Sequence, residues 1–373
     1  MASSKAKKII AELIEPSGVQ LDGKNPWDVQ VHNPAFYDRV LRDGQLGLGE
    51  SYVDGWWDCE QLDEFVNRIL KVHTDQKIKD SPRILVEALR ERLFNLQSRA
   101  RAFEVGEKHF DLGNDLYRAM LDKRLNYTCG YWKNATTLDE AQEAKLELIC
   151  KKIGARPGMS ILELGCGWGS FAKYAAEKYG VQVLGVTVSK EQVALGTELC
   201  KGLPVELRLQ DYRAVEGKFD AVISIGMMEH VGVKNYRNYM EVVDRCLKED
   251  GIAFIHTIGH FREAKVADEF TTRYVFPNGM LPSLPQLTRA ILGLFVIEDL
   301  QNIGPHYDPT LMAWTANFEK GWPQLKDKYG DRFYRMWRYW MLTGAGAFRS
   351  RDQQLWQIVM TRHGTPQPDC RFN

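Results

Sequence analysis

Apolar positions along this chain follow two rhythms. In the first 75 residues they recur at helical spacing in short runs. Ile9, Ile10, Leu13 and Ile14 form one stripe, closed by Pro16 and Gly18. Residues 33–41 predict a second helix, which Gly44, Gly47 and Gly49 are expected to break. A third is predicted near 61–72, behind the cluster Gly55-Trp56-Trp57. No period-two alternation occurs here, so residues 1–75 read as a small helical domain. Residues 76–102 read as a basic helical linker: Ser81 suits an N-cap with Pro82 behind it, and Leu85, Leu89, Leu93 and Leu96 share one face. From 103 to 373 the rhythm changes. Thr137-x-x-Glu140 is a capping box opening a helix to about Ile153. Short apolar runs then predict strands at 160–164, 181–188, 205–209, 219–225, 252–258, 294–299 and 355–361, with helical patterns between most of them. Such alternation implies an α/β fold, a doubly wound and mostly parallel seven-stranded sheet with helices on both faces.

Composition narrows the picture. With 373 residues and 44% hydrophobic positions the chain can bury a large core, and its length favours two domains. Lys+Arg (49) balances Asp+Glu (49), so no global field argues for nucleic acid. Charge is local instead. Residues 77–102 hold seven basic side chains against three acids, and 331–351 hold five arginines against Asp331. The seven cysteines, at 59, 129, 150, 166, 200, 246 and 370, include no CxxC pair. They predict neither a zinc site nor a disulfide framework, no metal is expected, and a reducing cytosol fits them. Charges interrupt the N-terminus too early for a signal-peptide core. The longest apolar stretch, near 291–297, falls far short of the ~18 residues a membrane span needs.

The first predicted strand of the sheet runs into Glu163-Leu-Gly165-Cys-Gly167-Trp-Gly169, and a helix begins at Ser170. Glycines in such a turn let a ligand approach the backbone and the helix N-terminus. A dinucleotide site spaces them GxGxxG. The GxGxG spacing here resembles the first motif of class I methyltransferases and implies S-adenosyl-L-methionine as co-substrate; a ligand-free turn is the plain alternative. The second strand leads into Thr187-Val-Ser189-x-x-Gln192. Ser189 and Gln192 can form a capping box, or Thr187 and Gln192 can face the ribose and methionine of the cofactor. No acid ends this strand, so an amide must take its part. Asp211, after the third strand, is placed to meet the adenine amino group or is simply a solvated loop acid.

The remaining motifs are more specific. They are His109-Phe-Asp-Leu-Gly-Asn-Asp115, Asn126-Tyr127-Thr128-Cys129-Gly-Tyr-Trp132, Ile225-Gly-Met-Met-Glu229-His230-Val-Gly232, Ile255-His256-Thr-Ile258-Gly259, Phe276-Pro-Asn-Gly279 and Gln301-Asn-Ile-Gly-Pro-His-Tyr307. Together, over roughly 33–362, they resemble the bacterial cyclopropane-fatty-acyl-phospholipid synthases. The resemblance implies that an acyl-chain alkene attacks the sulfonium methyl group, and that a bound bicarbonate ion takes a proton from the transferred carbon as the ring closes. It assigns the bicarbonate to Cys129, Glu229, His256, Tyr307 and the backbone of Ile258. It adds Tyr127 and Thr128 to the cofactor residues Gly165, Gly167, Gly169, Thr187, Gln192 and Asp211. It offers Tyr307, Tyr274 and Phe276 as aromatic walls for a cation. Taken singly, each has a bland reading: a buried cysteine, a loop acid, a core histidine. Some relatives carry a cysteine where Gly344 stands, so sensitivity to thiol reagents should be weaker here.

The resemblance also implies unsaturated phospholipid at the membrane surface as partner, a homodimer, and a cytoplasmic protein on the inner face of the membrane. The basic stretch 77–102 and the arginines of 331–351 are offered as contacts to anionic headgroups. Phe333, Trp337, Trp340, Met341 and Phe348 read mainly as core packing. The competing functions are another lipid or small-molecule methyltransferase and a non-enzymatic lipid-sensing protein.

Overall fold

The computed structural model describes residues 2–72, 113–263 and 268–372. The helix expected at 81–97 and the basic stretch 77–102 lie outside them. Contacts divide the chain into two units.

The first unit is a seven-stranded sheet with its helices. Its strands are β3 (Ser160–Leu164), β4 (Gln182–Thr187), β5 (Val205–Leu209), β6 (Phe219–Ile225), β7 (Leu247–His260), β8 (Val296–Asn302) and β9 (Gln353–Thr361). They lie in the order β5-β4-β3-β6-β7-β9-β8. The pairs from β5 through β7 are parallel, and β8 and β9 are antiparallel to each other. Central parallel strands are covered on both faces, which is why they read as continuous apolar runs rather than alternating ones. Ile161, Ile223, Phe254 and Val359 join Phe171 and Ala175 on one face. Leu162, Val222, Ile255 and Ile358 join Tyr239 and Met240 on the other. The Leu138–Lys152 helix starts as expected: Thr137 Oγ1 accepts from the Glu140 amide (3.3 Å), and Glu140 accepts from the Thr137 amide (3.1 Å).

Strand order places the site. From β3 the chain steps outward through β4 to β5, then returns to β6 on the other side of β3. The connections after β3 and β6 therefore leave the sheet in opposite directions, and the crevice at their carboxyl ends is where open α/β sheets bind ligands.

The second unit is helical and wider than residues 1–75 alone. It gathers 2–72 with 268–277 and 307–353. The long Tyr307–Arg349 helix turns sharply at Gly330 (φ 76, ψ 162) and packs on the Ala35–Val53 and Leu62–Lys71 helices. It buries Trp314 and Phe318, and of the aromatic stripe Trp337, Met341 and Phe348 are core while Phe333 and Trp340 are half-buried. Two expectations are corrected here. Only Gly44 departs from helical angles (φ 56, ψ −130), and the helix continues through Gly47 and Gly49. Gly49 is small for packing, since an added Cβ would lie 2.4 Å from the Phe270 ring. A two-residue ladder of β1 (Gln30–Val31) and β2 (Trp57–Asp58) was also missed, because two residues show no alternation.

The arginines of 331–351 are largely committed within this unit. Arg332 pairs with Asp54, Arg335 with Asp58, Arg338 with Glu319, and Arg349 with Asp63 and Asp308. Four of the five arginines are thus already paired with acids of the same unit.

Candidate active site

The glycine turn after β3 is held in left-handed backbone, with Gly165, Gly167 and Gly169 at φ 78, 54 and 78. An added side chain separates their roles. At Gly165 a Cβ would lie 3.0 Å from Met227 Sδ, and at Gly169 3.0 Å from Leu207 and 3.1 Å from Cys200. Those two glycines are small because protein packs against them. At Gly167 nothing lies within 4 Å, so its bare backbone faces open space. The Ser170–Tyr179 helix begins directly behind it, so the open backbone lies at a helix N-terminus. Trp168 and Tyr127 both pack on the ring of Tyr117, with centroids 4.9 and 5.2 Å away.

After β4, Ser189 caps the Lys190–Leu199 helix by accepting from the Gln192 amide (3.2 Å). The Gln192 side chain is turned to Thr187, whose hydroxyl donates to Oε1 at 2.7 Å. This fixes the amide and leaves its NH2 group to donate. Asp211 is buried, accepts from the Arg213 amide (2.8 Å) and pairs with its guanidinium (2.9 Å). It is held rigidly rather than solvated.

On the other side of the crevice, β6 and β7 bring Glu229, His256 and Ile258 together. Ile225 is in register with His256, and the Gly226 amide donates to the His256 carbonyl at 2.8 Å. Glu229 Oε1 accepts from the Ile258 amide at 2.6 Å. The Ile258 N–H is thus spent on orienting the carboxylate. Glu229 Oε2 is buried and unpartnered in this geometry, the neighbouring Thr257 hydroxyl being turned to the Ile258 carbonyl (3.0 Å). Burial, above all, pushes this carboxyl up to about 7, against the pull of its hydrogen bonds. His256 Nδ1 lies 3.4 Å from the Gln357 amide nitrogen, while Nε2 is buried without a partner. Burial holds the imidazole well below its ordinary range, so it is neutral. Nδ1 thus faces the Gln357 side-chain amide, and Nε2 is the ring nitrogen left to meet a ligand. Two orphaned polar atoms at the ends of adjacent strands are costly unless a ligand satisfies both.

Cys129 is fully buried, its thiol 3.1 Å from the Gly130 carbonyl. Its neighbour Thr128 touches the β6 end, since a Cβ added at Gly226 would lie 2.8 Å from the Thr128 methyl. The 126–130 segment therefore borders Glu229 and His256. Tyr307 opens the long helix of the helical unit, packed on Phe348 (4.5 Å) and Trp314 (5.9 Å). Tyr274 and Phe276 also belong to that unit, where the Tyr274 hydroxyl donates to Glu50 at 2.8 Å.

Sequence reasoning missed two buried charged groups, Lys145 and Glu163. Glu163, the last acid before the glycines, is pushed up to about 8 by burial. The overlooked signal was a lysine on the buried stripe Ala141, Gln142, Lys145, Ile149 of the Leu138–Lys152 helix.

The sheet order, the glycine turn and the crevice define a class I S-adenosylmethionine-dependent methyltransferase fold. Comparison with known proteins takes this further. Residues 97–358 match the family model of mycolic acid cyclopropane synthetases. The chain is 48% identical over 355 residues to the cyclopropane-fatty-acyl-phospholipid synthase of Escherichia coli strain K12, covering 95% of this chain and 93% of that one. The cyclopropane synthase MmaA2 from Mycobacterium tuberculosis superposes with a TM-score of 0.66 at 26% identity, over 70% of this chain and 98% of that one. Mycolic acid cyclopropane synthase CmaA1, solved with SAH and CTAB, gives the same TM-score at 29% identity, with the same coverage. The chain belongs to the mycolic acid cyclopropane synthetase family, and it is an S-adenosylmethionine-dependent methyltransferase.

Proposed function

We propose that the protein transfers the methyl carbon of S-adenosyl-L-methionine to a cis double bond in an acyl chain of membrane phospholipid and closes it to a cyclopropane. The observation that carries this reading is the pair of orphaned groups, Glu229 Oε2 and His256 Nε2, after β6 and on β7, beside the β3 end that carries the glycine turn. A carboxyl oxygen and a ring nitrogen fit a small anion that both donates and accepts. Bicarbonate, when bound, supplies the weak base that ring closure needs.

The chain's own residues do the rest. Gly167 admits the cofactor to the backbone, and Gln192, fixed by Thr187, presents its NH2 group. The Ile258 amide orients Glu229, and Glu229 with His256 would hold the anion while Cys129 closes the wall. A proton beside a carbocation is very acidic, so placement of the base matters more than its pKa. A dry pocket is needed as well, because water would trap the cation. Among the described residues no helix is long and apolar enough to cross a membrane. We take the protein to meet lipid from the cytoplasmic surface, as a homodimer, with 77–102 as the stretch left to contact anionic headgroups.

Activity is expected to depend on bicarbonate. Carbonate-free enzyme should lose most of its rate and regain it on addition of bicarbonate. His256→Ala, which loosens the site, should show a clear requirement even if the wild type retains its ion. Equal rates with and without bicarbonate in both proteins would mean that a side chain is the base.

A further inference from the structure

Beneath the glycine turn lies a buried polar cluster that the reaction as described does not use. Its centre is Lys145, fully enclosed, with no exposed surface on its side chain worth counting. Its ammonium donates to Asn126 Oδ1 at 2.8 Å and to Thr128 Oγ1 at 3.1 Å. Asn126 is itself clamped by Asp122, which accepts from its backbone amide (2.7 Å) and its side-chain amide (2.8 Å). Asn126 Oδ1 also accepts from the Ser170 hydroxyl at 2.8 Å, at the start of the helix behind the glycines. The Thr128 carbonyl accepts from Gln142 at 2.7 Å, and its methyl group fills the space over Gly226. One lysine thus ties the segment carrying Cys129 both to the cofactor turn and to the end of β6.

A buried ammonium is an expensive way to make two hydrogen bonds to neutral oxygens, because the charge gives up its hydration. A neutral amide could make the same bonds. The charge itself therefore calls for an explanation. Burial lowers this lysine to about 8, while Asp122, Cys129 and Glu163 pull the other way, and its field is felt at His256. Through Thr128, which packs over Gly226, the cluster reaches the end of β6, where the Gly226 amide holds the His256 carbonyl.

We propose that Lys145 is the positioning residue of the anion site: its two hydrogen bonds set Cys129 beside the ends of β6 and β7, and its charge makes that space attract a small anion. The inference rests on the bicarbonate reading above.

The test compares wild type, Lys145→Gln and Lys145→Met in carbonate-depleted buffer, with bicarbonate as the added probe. Lys145→Gln keeps a donor and loses the charge, and it remains informative if Lys145→Met fails to fold. The expected result is a rise of at least about tenfold in half-saturating bicarbonate for the glutamine variant, with cofactor affinity within a few-fold and rate recovered at high bicarbonate. A purely structural role would lower melting temperature and rate without moving that half-saturation. A folded Lys145→Gln with wild-type bicarbonate dependence would overturn the inference while leaving the bicarbonate reading intact. Indifference to bicarbonate in both wild type and His256→Ala would overturn both.

Discussion

Replacing Glu229 with glutamine is expected to lower turnover by at least about 100-fold while leaving S-adenosylmethionine affinity within a few-fold of wild type. The carboxylate is buried at the β6 end, with one oxygen on the Ile258 amide and the other unpartnered. Glutamine preserves the first bond and replaces the second acceptor by a donor or a neutral oxygen. The cofactor turn lies after β3 and is untouched. Titration calorimetry beside a methyl-transfer assay separates the two effects, and normal turnover would remove Glu229 from the mechanism. The same variant carries a stability signature. A buried carboxyl raised from 4.5 to about 7 binds its proton more tightly folded than unfolded. Folded wild type therefore loses stability as pH rises between those values, by about 3 kcal/mol in total. Glutamine has no such term. The stability difference should move in the variant's favour between pH 5 and pH 8, by about 2–3 kcal/mol in denaturant titrations of ligand-free protein. A pH-independent difference would show that the carboxyl is not held up by burial.

Gly167→Val is expected to reduce cofactor affinity by about 100-fold or more with the fold retained. The backbone there sits at φ 54, and a β-branched residue at such an angle costs roughly 1–3 kcal/mol. The side chain would also project into the open space above the turn, where no protein atom lies within 4 Å. Because that space is empty of protein, the variant should keep its core and its circular dichroism spectrum. Gly169→Val makes the contrast, since its side chain would strike Leu207 and Cys200 and lower stability first. A folded Gly167→Val that binds S-adenosylmethionine normally would mean that the cofactor lies elsewhere.

Much of the sheet was legible because each strand is a short apolar run between helical patterns, and parallel strands buried on both faces have that signature. The cap at Thr137 was legible because both of its hydrogen bonds are encoded three residues apart. The helical unit was less legible. Gly49 looks like a helix breaker until the ring of Phe270 is seen beside it, and a contact across more than 200 residues leaves no local trace. The arginines of 331–351 looked available for lipid because their acids, Asp54, Asp58 and Asp63, stand far away in sequence. In the site, Glu229 and His256 were found through motif and strand-end position. Lys145 was not, since a lysine on a helix is ordinarily solvated and only its place on an apolar stripe marks it as buried. The Ile258 amide illustrates a different limit: its bond to Glu229 depends on the register of β6 and β7, which no single strand encodes.

Cyclopropane formation on an unsaturated phospholipid is read out by incubating the protein with S-adenosylmethionine and vesicles of a cis-unsaturated phospholipid, then analysing the acyl chains by mass spectrometry and proton NMR. Each modified chain is expected to gain the mass of one CH2, with olefinic protons replaced by upfield cyclopropane resonances and the headgroup unchanged. Acyl chains that keep their double bonds, a methyl placed on the headgroup, or a branched chain without ring protons would contradict cyclopropane formation on the lipid.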